Sequence, residues 1–442
     1  MARTFDLIVE GGTLVNHEGA GAADIGITDG VICEMGDLST ADAGQRIDAS
    51  GLHVLPGVID SQVHFREPGL EHKEDLQAGM DGAALGGVTA IFEMPNTTPS
   101  TTTAEAIADK LERARGRAAV DHAFYVGAAI ENVENLPDLE RLPGVCGVKI
   151  FMGASTGNLL VADDMNLLRA LRAGRRRVAV HAEDEQRMNM RKHFRTDGDP
   201  SSHPVWRDAE SALKATRRLI GLARQAGRRV HVLHVTTADE MGYLAAQKDI
   251  ATVEATPQHL TLDAETAYAR LGTRAQMNPP IRGRAHQAGL WWALNQGVVD
   301  VIGSDHAPHT LEEKDRPYPL SPSGMPGVQT LVPILLDHVA RGRLSLARFV
   351  DLTSAGPNRV FGIAGKGRMA RGYDGDLTLV DLKREETITD KAMANKSGWT
   401  PFDGMRVTGW PVMTIVRGRV AMRDGELLGR DIGRPVRFQE TL

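Results

Sequence analysis

The sequence predicts an α/β fold, a (β/α)8 TIM-like barrel with a small β-sandwich domain built from both termini. Three observations lead there. Short apolar, β-branched runs recur eight times between residues 54 and 303. Ala/Leu/Arg-rich stretches of helical periodicity, such as 104–117 and 209–226, separate most of them. The two ends of the chain carry a different texture, short alternating strands joined by Gly-rich turns.

The barrel runs are 54–60, 88–92, 123–126, 147–151, 178–181, 230–234, 251–255 and 299–303. They are nearly continuous in apolar residues, as expected of parallel strands buried on both faces. Eight strand–helix units are the number that closes a parallel barrel; an open doubly wound sheet is the alternative. At the ends, Asp6-Leu7-Ile8-Val9, Asp24-Ile25-Gly26-Ile27 and Gly30-Val31-Ile32 alternate, as do Asp376-Leu377-Thr378-Leu379-Val380 and the run 414–420. The expected division is 1–54 for the N-terminal part of the sandwich, 55–365 for the barrel and 366–442 for the C-terminal part.

Composition narrows the class. With 442 residues, 42% hydrophobic and 24% charged, the chain can bury a large core. A formal net charge of −6 argues against a nucleic-acid binder. The basic run Arg175-Arg176-Arg177 reads as a solvated helix end or loop. Two cysteines, Cys33 and Cys146, allow neither a disulfide framework nor a thiolate zinc site. No signal peptide and no apolar stretch of membrane-spanning length is present, so a cytoplasmic location without membrane association is expected.

Groups suited to a divalent metal fall where the strands end. His64 follows the first strand, Lys149 lies in the fourth, His181 ends the fifth, His234 ends the sixth and Asp305 follows the eighth. Barrel enzymes carry their sites at this face, and imidazole with carboxylate suits zinc or a related ion. Taken singly, each His is more often a hydrogen-bonded structural residue and the Asp a turn cap. Five at one face change the odds, because independent structural roles would not select it. Lys149 stands apart, since a buried ammonium is costly and cannot bind a cation.

The segment 56–69, Pro-Gly-Val-Ile-Asp-Ser-Gln-Val-His-Phe-Arg-Glu-Pro-Gly, resembles the first signature of the dihydroorotases of the amidohydrolase superfamily, class I type. Further matches follow in order: Glu93-Met94-Pro95-Asn96-Thr97, Val148-Lys149-Ile150-Phe151-Met152, His181-Ala182-Glu183-Asp184, His231-Val232-Leu233-His234, Met277-Asn278-Pro279-Pro280 and the segment 303–309. The resemblance covers essentially the whole chain and implies zinc, one or two ions per chain. His64, Lys149, His181, His234 and Asp305 would be the ligands, with Lys149 carrying a carbamate derived from carbon dioxide. Asp305 would also be the general base. Arg66, Asn96, Asn278, His309 and Gly324 resemble the substrate-binding set.

The implied reaction is reversible hydrolysis of the cyclic amide of L-dihydroorotate to N-carbamoyl-L-aspartate, a step of pyrimidine synthesis, by metal-activated water. Arg66 would hold the ring carboxylate; a plain salt bridge to Glu67 is its structural alternative. Hydantoinase, dihydropyrimidinase and allantoinase relatives act on rings that need no such clamp. The resemblance also implies a homodimer and a possible association with aspartate transcarbamoylase, including the alternative of a non-catalytic partner of that enzyme. One departure matters: the family's first strand reads His-x-His, and here the first position is Gln62. An amide oxygen is a weaker zinc ligand than imidazole, so the first metal position is expected to be weakened. One metal, a harder metal, or lost activity all follow from that. Gln258 before His259 is a second departure. The Pro/Gly/charge-rich segment 306–327 is expected to form a mobile loop over the site.

Overall fold

Eight parallel strands pair in chain order in the computed structural model, which describes residues 4–155 and 159–441. They are Val58–Val63, Val88–Glu93, Asp121–Gly127, Val145–Phe151, Val178–His181, Val230–Val232, Ala251–Ala255 and Val301–Ile302. The first and last edges meet through a parallel bridge between Val63 and His306, with His64 N donating to His306 O at 2.7 Å. The expected barrel is therefore present. Its outer helices follow their sequence signals. Ala209–Ala226 starts at Asp208, whose side chain accepts from Ser211 N, and ends at Gly227, left-handed at φ 66°. Its Leu219 and Ile220 pack into the barrel core, each contributing roughly 1.5–3 kcal/mol on burial. The helix expected over 104–117 stops at Ala114, where Arg115 turns extended.

The run 54–60 is not one strand but two. His53–Pro56 pairs with Leu377–Thr387 in the terminal domain, and Val58–Val63 opens the barrel. Gly57 divides them in a gap too tight for a side chain: a Cβ there would lie 2.2 Å from Thr89 Oγ1 and 2.7 Å from Asp376 Cβ.

Both termini build the second domain. One sheet orders Val31–Gly36, Asp24–Thr28, Thr4–Glu10 and Asp42–Asp48; a seven-stranded sheet joins Thr13–Asn16 and His53–Pro56 to Leu377–Thr387 and Arg406–Val416. Leu7, Val9, Ile25 and Ile27 pack between them against Leu377, Leu379 and Ile415. The run 414–420 is a hairpin, its strands separated by Arg417 and Gly418, both at positive φ. Two stretches of the C-terminal segment lie outside the sheets. Trp399 and Phe402 pack with Met277 and Ile281 near the mouth of the barrel, and Val436 and Phe438 pack with Phe92 and Phe361.

A buried ion network joins the two domains. Asp121, Asp374 and Asp376 are the one group of three His, Cys, Asp or Glu side chains, among the described residues, whose potential ligand atoms lie within 4.8 Å of one another. It needs no metal, because the Lys366 ammonium pairs with all three and Arg417 Nη2 lies 3.0 Å from Asp121. Removing the central cation would leave buried carboxylates uncompensated. Lys366→Met is expected to cost about 3–5 kcal/mol, read as a lower denaturation midpoint; an unchanged midpoint would show the network is dispensable.

Candidate active site

The strand ends bring the expected residues together. One small cavity is lined by Gln62, His64, Arg66, Asn96, Lys149, His181, His234, Asn278, Asp305 and Gly324, joined by Phe151, Ser155, Ala307 and Ser323. His309 stands behind Arg66, with its Nε2 3.2 Å from Arg66 Nη2. Arg66, His234 and Asp305 all adopt left-handed backbone, at φ 49°, 36° and 46°. That conformation is uncommon for side-chain-bearing residues and concentrates at functional sites.

Two pairs of candidate ligands face the cavity. His64 Nε2 lies 3.3 Å from Asp305 Oδ1, while its Nδ1 lies 2.7 Å from Asn96 Oδ1. The amide oxygen can only accept, so the proton sits on Nδ1 and the Nε2 lone pair is left for a cation. In the second pair, His181 Nδ1 lies 3.1 Å from His234 Nε2. Glu183 Oε2 lies 3.0 Å from the other nitrogen of His181, a charge contact that favours Nε2–H and exposes the Nδ1 lone pair. Burial alone would raise the Glu183 carboxyl, but the Arg207 guanidinium holds it far below the usual range. Burial keeps His64, His181 and His234 neutral, the form in which imidazole binds metal.

Lys149 lies between these pairs in the lining. It is 1% exposed, its Nζ lies 4.5 Å from the Phe151 ring centroid, and it makes no ion pair among the described residues. Burial lowers its pKa to about 7, opposed by the Asp305 and Glu254 charges. A neutral amine can add carbon dioxide and an ammonium cannot. The donor set thus fits a divalent metal: three neutral imidazoles, with lone pairs free on His64 Nε2 and His181 Nδ1, a carboxylate, and an amine whose carbamate would supply further anionic oxygens.

Gln62 has a definite partner. Its Nε2 donates to Asp305 Oδ1 at 2.9 Å, and its Oε1 is buried without a hydrogen-bond partner. Gln258 also has a role, since its Nε2 donates to Ser304 O at 2.7 Å and pins the backbone just before Asp305. His259 is a satisfied structural histidine between Thr256 and Pro279.

Arg66 is 2% exposed and makes no ion pair among the described residues. Glu67 is not its partner; that carboxylate takes Arg113, Arg117 and Leu76 N. Arg66 Nε donates to Pro308 O at 3.1 Å. Its other neighbour, His309, also meets Lys73 Nζ at 3.2 Å. A neutral imidazole has one lone pair, so it cannot accept from both cations. Asn278 Oδ1 is held by His203 Nε2 at 2.9 Å. Gly324 has its N–H on Gln276 O and its carbonyl on Lys314 Nζ, so its backbone is already engaged.

The segment 306–327, expected to be mobile, is anchored. Buried Lys314 donates to three carbonyls, those of Gln276, Pro322 and Gly324, at 2.8–3.0 Å, and Trp399 Nε1 donates to His309 O. The cavity beneath it encloses about 20 Å³, room for a water rather than a six-membered ring.

Sequence reasoning missed two acids beneath the site. Glu254 accepts from Ser61 Oγ and from His234 N, and burial and the Asp305 charge raise its carboxyl to about 8. Asp60 accepts from the backbone N of Ser304 and of Gln62, tying the eighth strand's end to the first strand. The signal that singles out Lys149, a charge inside an apolar strand, was present for both.

Comparison with known proteins bears on this arrangement. Residues 53–421 match the family described as "Amidohydrolase family". A dihydroorotase of Methanothermobacter thermautotrophicus is 35% identical over 413 residues, 92% of each chain. An allantoinase of Rubrobacter xylanophilus is 36% identical over 452 residues, 98% of each chain. Among solved structures, the L-hydantoinase from Arthrobacter aurescens superposes with a TM-score of 0.94 at 32% identity, covering 98% of this chain and 99% of that one.

Proposed function

Since the chain belongs to the amidohydrolase family, and within it to the cyclic amidohydrolases of the dihydroorotase–hydantoinase group, we propose that it is a metal-dependent dihydroorotase. It would interconvert L-dihydroorotate and N-carbamoyl-L-aspartate. The observation that carries the substrate choice is Arg66, a buried guanidinium at the cavity with no carboxylate partner among the described residues. A ring carboxylate would supply the missing anion through paired hydrogen bonds.

His64, His181, His234, Asp305 and a carboxylated Lys149 would hold zinc. When bound, a divalent metal makes hydroxide available near neutral pH and polarises the amide carbonyl. Asp305 takes the proton of the attacking water and returns it to the leaving ring nitrogen as the C–N bond breaks, so one water is added across the amide. Gln62 donates a hydrogen bond to Asp305 Oδ1, where an imidazole at that position would offer a lone pair to the metal. His309 and Lys73 back Arg66.

The first metal position is the weaker one on this reading, because the amide oxygen of Gln62 replaces an imidazole nitrogen. Gln62→His is expected to raise the zinc bound per chain, measured by elemental analysis on protein purified without chelator; no rise would remove position 62 from the ligand set. The same samples test the function on L-dihydroorotate, hydantoin, dihydrouracil and allantoin. Turnover confined to the carboxylated ring supports the dihydroorotase. Turnover of the uncharged rings instead gives the hydantoinase or allantoinase reading, which the likeness to the Rubrobacter and Arthrobacter proteins favours. Neither metal nor turnover, with aspartate transcarbamoylase co-purifying, gives the non-catalytic partner.

A further inference from the structure

At the opposite end of the barrel from this site, a cavity of about 740 Å³ opens where the helix Asp164–Arg172 ends and the fifth strand has not begun. Arg141, Arg172, Arg175 and Arg176 line it with two acids, Glu140 and Glu440. The run 175–177, expected to be solvated, is thus only partly so. Arg176 is 4% exposed, its guanidinium lies 4.4 Å above the Phe438 ring, and its Nη1 donates to the carbonyls of Glu140 and Val145.

The positive charge of this cavity is not cancelled from within. Glu140 is already committed: its Oε2 takes Arg228 Nη2 at 2.8 Å, and its Oε1 accepts from the backbone N of Arg175 and Arg176. Among the described residues Glu440 pairs only with Arg176 Nε, at 3.8 Å, and is 57% exposed. Arg141, Arg172 and Arg175 meet no carboxylate among the described residues. The deepest cation also has an unmet donor, since Arg176 Nη2 is buried without a hydrogen-bond partner among the described residues. An unpartnered buried donor on a cation is unfavourable unless an acceptor arrives.

We infer that this cavity is a binding site for an oligophosphate-bearing small molecule of nucleotide size. Three arginines without a carboxylate partner among the described residues, with Arg176 behind them, face one exposed carboxylate, which calls for an anion of several charges rather than a monocarboxylate. Planar guanidinium groups match the oxygens of linked phosphates two at a time. The volume falls in the range of small-molecule sites and exceeds what an inorganic ion fills. The inference does not depend on the reaction proposed for the other end of the barrel.

Isothermal titration calorimetry on the full chain tests it, with ADP, inorganic pyrophosphate and sulfate as probes at ~0.15 M salt, where diffuse attraction is screened. Arg172 and Arg175 are exposed, so the double variant Arg172→Ala/Arg175→Ala is expected to fold and keep its metal. ADP is expected to bind once per chain, at least as tightly as pyrophosphate, and about tenfold more weakly or worse in the double variant. Three outcomes overturn the site: no saturable binding, sulfate binding equal to pyrophosphate, or heats unchanged in the double variant, as metal stripping at the remote site would produce. Pyrophosphate binding with ADP excluded overturns the nucleotide size.

Discussion

Lys149→Met is expected to abolish turnover and strip metal while leaving the apoprotein as stable as the wild type or more so. The two effects separate a ligand from a packing residue. As an ammonium, Lys149 is a buried charge without a carboxylate contact, and its replacement by an apolar chain of similar length removes a desolvation cost. As a carbamate it would supply anionic oxygens between the His64/Asp305 and His181/His234 pairs, which Met cannot. Loss of metal-assisted chemistry costs several kcal/mol, roughly a thousandfold or more in kcat/KM. Metal per chain and the denaturation midpoint are read on the same sample. Reconstitution with zinc should need bicarbonate in the wild type and be unaffected by it in the variant. Full metal content in Lys149→Met would refute the ligand role; a large fall in apoprotein stability would make Lys149 a structural residue.

The barrel was legible because its strands are buried on both faces, so each reads as an apolar run whatever its neighbours are. The division at Gly57 was not, since it depends on Thr89 and Asp376, which come from distant parts of the chain. The same holds for the anchored loop. Pro, Gly and charge in 306–327 signal a connection, but whether it is tied down depends on Lys314 finding three carbonyls, one of them in a different segment. At the site, the ligand candidates were visible because several metal-type side chains fall at corresponding strand ends. Their orienting partners were harder to see. Asn96 resembles a substrate-binding residue in the sequence, and its Oδ1 contact with His64 Nδ1 could not be read there. Glu183 stands two residues from His181 in the sequence, yet its effect is set by Arg207. Arg176 shows the limit of reading charge runs: one member of an arginine triplet is buried over Phe438 while Arg175 stays exposed.

Arg66→Met is expected to change what the enzyme accepts more than whether it works. Arg66 is enclosed by Pro308, His309 and the cavity, and burial lowers its pKa only to about 10, so it remains charged at neutral pH. Among the described residues its acceptors are one carbonyl and an imidazole shared with Lys73. A substrate carboxylate would complete a buried, hydrogen-bonded ion pair, and truncating one partner of such a pair costs about 2–5 kcal/mol. For L-dihydroorotate that is a fall in kcat/KM of roughly thirtyfold to several thousandfold, carried mainly by KM because the clamp acts on a carboxylate that does not react. Hydrolysis of dihydrouracil, the same ring without the carboxylate, would then be unchanged or improved, since the variant no longer leaves a bare guanidinium facing an uncharged ring. The ratio of the two rates is the measurement, because misfolding or metal loss lowers both together and leaves it constant. A constant ratio would therefore sink the carboxylate clamp, and with it the reason for preferring the carboxylated ring over the uncharged ones.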